Sequence, residues 1–247
     1  MKRLVEKYSR IRTTDTDYTE LLLDTNIFGR GADLVYDNES YAWLANRMSE
    51  AEARLDLQAA FDCISGGAMV DASTMKVTCD LEDWAFFGSE GLRRVLYIGC
   101  GAYPSIALYA LMRHPDLVIE GLDIVAHCTV LCEQLSDRLG LQDRLLVATG
   151  DAADLTPQEI ARFDGFFVSS AVRPKNEIIE KLLADKRAGT RIYAREDEAH
   201  PLFYHPVTVS HPDVLSARGA RRAWATAKGE EFPLPIGCET SPTRGAT

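Results

Sequence analysis

The chain is poor in the features that mark several protein classes. Its 247 residues hold no apolar run near the ~20 residues that span a bilayer; the longest, such as Val95 to Ile98, are of strand length. Met1 to Arg12 alternates charged and apolar residues and lacks the continuous apolar stretch of a secretory signal, so the expected location is cytoplasmic. Positive charge is scarce, with 27 Lys and Arg against 37 Asp and Glu and a net charge of -10. Such a surface repels phosphate backbones, which argues against nucleic acid, and no polybasic amphipathic stretch invites a membrane. Histidine is rare, at five, and no C-x-x-C pair accompanies it. The six cysteines, Cys63, Cys79, Cys100, Cys128, Cys132 and Cys238, therefore read as buried free thiols, with no metal expected. Internal repeats and low-complexity stretches are missing too. What remains is an ordinary globular composition, 46% hydrophobic, that suits a small-molecule partner; oligomeric state leaves no mark in the sequence.

The pattern that is present changes near Gly88-Ser89-Glu90-Gly91, a loop signal. Residues 1–87 read as a helical cap covering the substrate. Its clearest stretch is Ser40 to Ile64, where Trp43, Leu44, Met48, Ala51, Leu55 and Ala59 recur at helical spacing between Glu50, Glu52, Arg54 and Asp56. This is one helix, or two if Ser49 and Glu52 form a capping box; Gly66-Gly67 ends it. Residues 88–236 read as a Rossmann-like α/β domain with a mostly parallel sheet. Strands are predicted at Val95–Ile98, Leu117–Ile124, Leu145–Thr149, Phe166–Ser170 and Thr190–Arg195, separated by helices at Ser105–Arg113, His127–Leu139, Pro157–Arg162 and Asn176–Arg187. Residues 237–247 are rich in Ser, Pro, Gly and Thr and are predicted to be disordered.

The strongest local signal is Val95-Leu96-Tyr97-Ile98-Gly99-Cys100-Gly101-Ala102-Tyr103-Pro104, a strand, a glycine turn and a helix start. Glycines let the backbone turn sharply and approach a ligand, and ligands of such sheets bind at the carboxyl ends of the strands. The second strand ends in Asp123-Ile124, where a carboxylate can accept both ribose hydroxyls or merely cap the next helix. The third ends in Gly150-Asp151-Ala152, where Asp151 can accept an adenine amino group. Together with Gly99, Cys100 and Gly101, these residues outline a nucleoside site. The dinucleotide fingerprint wants Gly or Ala where this chain has Pro104, preceded by bulky Tyr103. That argues against NAD and for a cofactor without a pyrophosphate, such as S-adenosylmethionine (SAM).

Over roughly residues 92–207 these features resemble the SAM-binding half of class I methyltransferases. Those enzymes carry an acid two positions before the first glycine, near the methionine amine of SAM; this chain has Tyr97. The turn Gly99 to Pro104 instead resembles the nicotianamine synthase family and its bacterial opine-metallophore members. Two further segments agree: Phe166-Phe167-Val168-Ser169-Ser170 leading through Pro174 into Ile178-Ile179-Glu180-Lys181-Leu182, and Arg191-Ile192-Tyr193-Ala194-Arg195 followed by Leu202-Phe203-Tyr204-His205-Pro206. The resemblance implies that SAM is a substrate and that its 3-amino-3-carboxypropyl group moves, releasing methylthioadenosine. An amine acceptor takes that group, or SAM's own amine closes azetidine-2-carboxylate, as in related SAM cyclases. The alternatives are a small-molecule methyltransferase and, from another class, a SAM-binding module without turnover.

This chemistry needs a neutral amine in line with the leaving sulfur. An acid beside SAM's amine favours its charged form, so Tyr97 suits a cyclase, unless it simply packs within its strand. Candidate catalytic residues are Tyr103 after the turn, Ser169 and Ser170 at the end of the fourth strand, and Tyr41 in the cap. Ser169 also belongs with the cofactor-binding set of Tyr97, Gly99, Cys100, Gly101, Asp123, Ile124, Asp151 and Ala152. The serine hydroxyls can hold a carboxylate or satisfy turn backbone groups. Glu39, Glu50 and Glu52 are further base candidates, Arg173 and Arg195 can bind carboxylates by a bidentate contact, and His200 and His205 read as packed loop residues.

Overall fold

A computed structural model describes residues 53–67, 76–196 and 207–229. The expectations for Glu39, Tyr41, Glu50, Glu52, the Ser49 capping box, His200, His205, the segment 202–206 and the tail 237–247 lie outside them.

Helix α1 covers 53–64 and ends at Gly66-Gly67. Helix α2, Lys76–Glu82, runs on into a π-helical turn, Asp83–Phe87. Six strands follow: β1 (Arg94–Ile98), β2 (Val118–Asp123), β3 (Leu145–Thr149), β4 (Gly165–Val168), β5 (Arg191–Ala194) and β6 (Val214–Ser216). Between and after them lie α3 (Ser105–Arg113), α4 (Ala126–Arg138), α5 (Pro157–Ile160), α6 (Lys175–Asp185) and α7 (Ala217–Lys228). Every pairing is parallel, in the order β3-β2-β1-β4-β5-β6. The α/β reading of the sequence is correct, with a wholly parallel sheet.

The period of two along β1 builds both cores. Val95 and Tyr97 join one apolar cluster with Ile106, Leu108 and Leu111 of α3 and Leu131 and Leu135 of α4. Leu96 and Ile98 join the other, with Ile160, Ile178, Ile179 and Leu182. Fully burying a side chain such as Leu111 or Ile179 stabilises the fold by about 1.5–3 kcal/mol. Tyr97, Phe167 and Tyr193 stand in register on three adjacent strands. Their rings are 4.7 Å and 5.2 Å apart in sequence across the sheet, and Phe87 stacks on Phe167 from the π-helical turn. This aromatic row seats the π-helical turn on the face of the sheet over β4 and β5.

Three expectations change. The fourth strand stops at Val168, so Ser169 and Ser170 lie beyond it. In α1, Leu55 is 39% exposed, while Ala60 and Cys63 are buried, so the inward face includes Asp56 and not Leu55. Strand β6 and helix α7 have no counterpart in the sequence reading. Ser216 caps α7 by accepting from Gly219 N at 3.1 Å, Gly229 closes it in the left-handed conformation, and Trp224 meets Trp84 edge-on.

Candidate functional site

Because all strands run one way, their carboxyl ends form one edge. The strand order reverses between β1 and β4, which opens a crevice there. Gly99 and Gly101 lie in that crevice with φ of 73° and 67°, a region costly for any side chain. A Cβ on Gly99 would stand 2.7 Å from Val172 Cγ2 and 3.2 Å from Ser169 Cβ. The turn is thus pressed against the segment after β4.

Asp123 stitches this turn to the next helix. Its Oδ2 accepts from Gly101 N at 2.8 Å and its Oδ1 from Val125 N at 2.9 Å. The carboxylate closes an Asx turn just before α4, whose N-cap is Val125, and each of its oxygens has a second lone pair. Ile124 is 68% exposed beside it, an apolar surface of the kind a purine covers. Asp151 begins a short 3-10 turn, with Oδ1 accepting from Ala153 N at 2.8 Å, while Ala152 is buried. Cys100 points inward: its thiol is hydrogen-bonded to Cys132, which together with burial pushes its pKa well up. Any ligand contact from Cys100 is consequently through its backbone. Tyr103 is buried in the first core cluster, next to the turn.

Past β4, Ser169 N donates to Ile98 O at 3.0 Å, and both Ser169 and Ser170 are buried. The Ser170 carbonyl accepts from the buried Lys175 Nζ at 2.9 Å, and the Arg195 carbonyl accepts from the same nitrogen at 2.6 Å. Burial lowers the Lys175 pKa to about 7. A neutral amine has two N–H bonds, which matches these two carbonyls.

Two acids join this edge unannounced by any motif. Asp56 Oδ2 lies 3.0 Å from where a Cβ on Gly101 would stand, so α1 delivers a carboxylate to the glycine turn. Asp56 precedes Ala60 by four and Cys63 by seven, a helical stripe that could have singled it out. Glu82, at the end of α2, is 1% exposed and pairs with Arg195 Nε at 3.1 Å. Burial raises its pKa to about 7 against the pull of Arg195 and Arg221. Tyr97, buried in β1, feels Arg195 and Glu82 as well as Cys100 and Asp56, and desolvation drives its pKa upward. Among the described residues no group of three metal-binding side chains occurs, and no helix is long and apolar enough to cross a membrane.

No protein-family model and no curated protein matches the chain. Solved structures do. A mutant of MtNAS, a nicotianamine synthase, is similar with a TM-score of 0.62 at 18% identity, covering 86% of this chain and 85% of that one. MtNAS in complex with MTA and tNA gives 0.60 at 18%, covering 84% of each. The mutant in complex with SAM gives 0.54 at 18%, covering 80% and 79%. At this identity the likeness shows a shared fold, over most of both chains.

Proposed function

We propose that this chain is a SAM-dependent enzyme that uses the 3-amino-3-carboxypropyl group of SAM and releases methylthioadenosine. The observation that carries the reading is the glycine turn with Asp123 beneath it and Asp56 against it. Asp123, Ile124, Asp151 and Ala152 form the adenosine half of the site, and Asp56 is the acid that meets the amino-acid tail. Support also comes from the fold shared with MtNAS, whose structures hold SAM, or MTA and tNA.

In the reaction an amine nitrogen forms a bond to the γ-carbon of the tail as the bond from that carbon to sulfur breaks. The electron pair goes to sulfur, neutral methylthioadenosine departs, and the newly alkylated ammonium gives its extra proton to the solvent buffer as the product leaves. Asp56 bears on which amine attacks. The acid missing at Tyr97 is supplied by α1, so the case for a neutral SAM amine weakens. An ammonium held by Asp56 stays protonated and leaves the attack to a second amine. Transfer to an amine acceptor is accordingly the favoured version, and cyclisation to azetidine-2-carboxylate is the other. Helix α1, which lays Asp56 against the glycine turn, helps to exclude water from the sulfonium.

Incubation with SAM, with and without a pool of amines, tests the proposal. Methylthioadenosine only with an amine supports transfer, and methylthioadenosine from SAM alone supports cyclisation. S-adenosylhomocysteine would replace the proposal with methylation, and binding without turnover would replace it with a sensor.

A further inference from the structure

The chain after β4 turns before it enters α6, and one side chain bolts that turn to the neighbouring strand. Lys175 opens α6 and is 2% exposed. Its Nζ reaches back five residues to donate to Ser170 O at 2.9 Å, and across to the end of β5 to donate to Arg195 O at 2.6 Å. Arg195 N donates to Val168 O at 2.9 Å, so the pairing of the two strands runs one residue past β5 and the lysine closes it. Burying a lysine carries a desolvation penalty and a loss of rotamer freedom. The two bonds offset both by satisfying carbonyls at the strand ends.

The loop that Lys175 closes is the one that backs the glycine turn. Ser169 N donates to Ile98 O at 3.0 Å, and Val172 N to Ser169 O at 3.4 Å. Val172 Cγ2 and Ser169 Cβ stand 2.7 Å and 3.2 Å from the place where a Cβ on Gly99 would be. Val172 also packs on the second apolar cluster. Contacts thus run from Lys175 through Ser170 and its loop to Gly99. Asp123 ends β2 and Asp151 lies just past β3, both on the side of β1 away from β4. The loop after β4 therefore borders the half of the crevice opposite the nucleoside half.

We infer that Lys175 is a positioning residue of this site: by clasping the carboxyl ends of β4 and β5 it holds Ser169 and Val172 against the glycine turn, on the side where SAM's amino-acid tail lies. This rests on the SAM reading above and adds a residue that governs the tail without touching it. The buried amine is enclosed by its own loop and by the end of β5, so it acts through Val172 and Ser169.

Titration calorimetry on the full chain with SAM and methylthioadenosine tests the inference. Lys175→Met keeps most of the side chain's bulk and removes the amine. It lowers SAM affinity about tenfold, a loss that two hydrogen bonds can supply, and leaves methylthioadenosine, which has no tail, within about twofold. Val172→Ala lowers SAM affinity in the wild-type background and far less in Lys175→Met, because a loop already released has little left to lose. Lys175→Gln replaces Lys175→Met in this cycle if circular dichroism shows the latter unfolded. Unchanged SAM affinity, or equal losses for SAM and methylthioadenosine, overturns the inference, and so do losses that simply multiply in the double variant. Each of these results leaves the SAM reading intact, whereas a wild type that binds neither ligand overturns both.

Discussion

Replacing Glu82 with Gln removes a proton-binding step from folding, and the buried site sets its size. The carboxyl has an ordinary pKa of 4.5 and is pushed up to about 7 in the folded chain, first by desolvation, with Arg195 and Arg221 opposing. Below pH 4.5 both states hold the proton. Between 4.5 and about 7 the folded chain keeps it and the unfolded chain does not, so stability falls as pH rises. At roughly 1.4 kcal/mol per pH unit this amounts to about 3 kcal/mol. Lys175 does the reverse. Its pKa drops from 10.5 to about 7, so from pH 7 upward the unfolded chain holds a proton that the folded chain has shed, and stability rises. By pH 9 that contribution reaches about 3 kcal/mol. The Cys79 and Cys128 thiols, raised to about 12 and about 11, begin to subtract stability above pH 9, which bounds the window. Wild type should therefore show a stability minimum near pH 7. Urea unfolding midpoints at pH 5, 7 and 9 measure it. Glu82→Gln should abolish the descending limb and Lys175→Met the ascending one. Descending limbs that run parallel in wild type and Glu82→Gln from pH 5 to 7 would refute the reasoning.

Three further outcomes follow from the site. Asp123→Ala should weaken SAM and methylthioadenosine alike by about 1.5–3 kcal/mol, as loss of a charged hydrogen-bond partner does, while NAD fails to bind wild type; calorimetry reads all three. Asp56→Asn should cut turnover of SAM and leave methylthioadenosine affinity within about twofold, because the nucleoside lacks the tail that Asp56 meets; equal losses for both ligands would count against it. Tyr103→Ala should lower kcat far more than it lowers SAM affinity, since Tyr103 backs the turn and governs alignment of the tail; steady-state kinetics beside calorimetry separates the two.

The alternation of short apolar strands with helices made the sheet legible from Arg94 to Ala194, because buried parallel strands are continuous apolar runs. Strand β6 escaped since it has three half-buried residues, Val214 to Ser216, and depends on β5 for its pairing. The proposed adenosine half of the site was legible for a local reason: Gly99 and Gly101 lie just past β1, Asp123 ends β2 and Asp151 lies two residues past β3. Asp56, Glu82 and Lys175 were not. Each is a charged residue on a helix, and such residues usually face solvent. Only tertiary packing, which lays α1 on Gly101, pairs Glu82 with Arg195 and sets two backbone carbonyls around Lys175, turns them inward. Cys100 shows the opposite limit, since its place in the turn was plain but the inward direction of its thiol depended on Cys132.

The claim that the γ-carbon, not the methyl group, is the reacting centre is tested most directly by following the methyl carbon. SAM labelled at that carbon is incubated with the protein and a pool of amines, and the nucleoside product is isolated by chromatography. The account predicts methylthioadenosine that retains the label in full. Unlabelled S-adenosylhomocysteine, with the label found in a methylated acceptor, would contradict it.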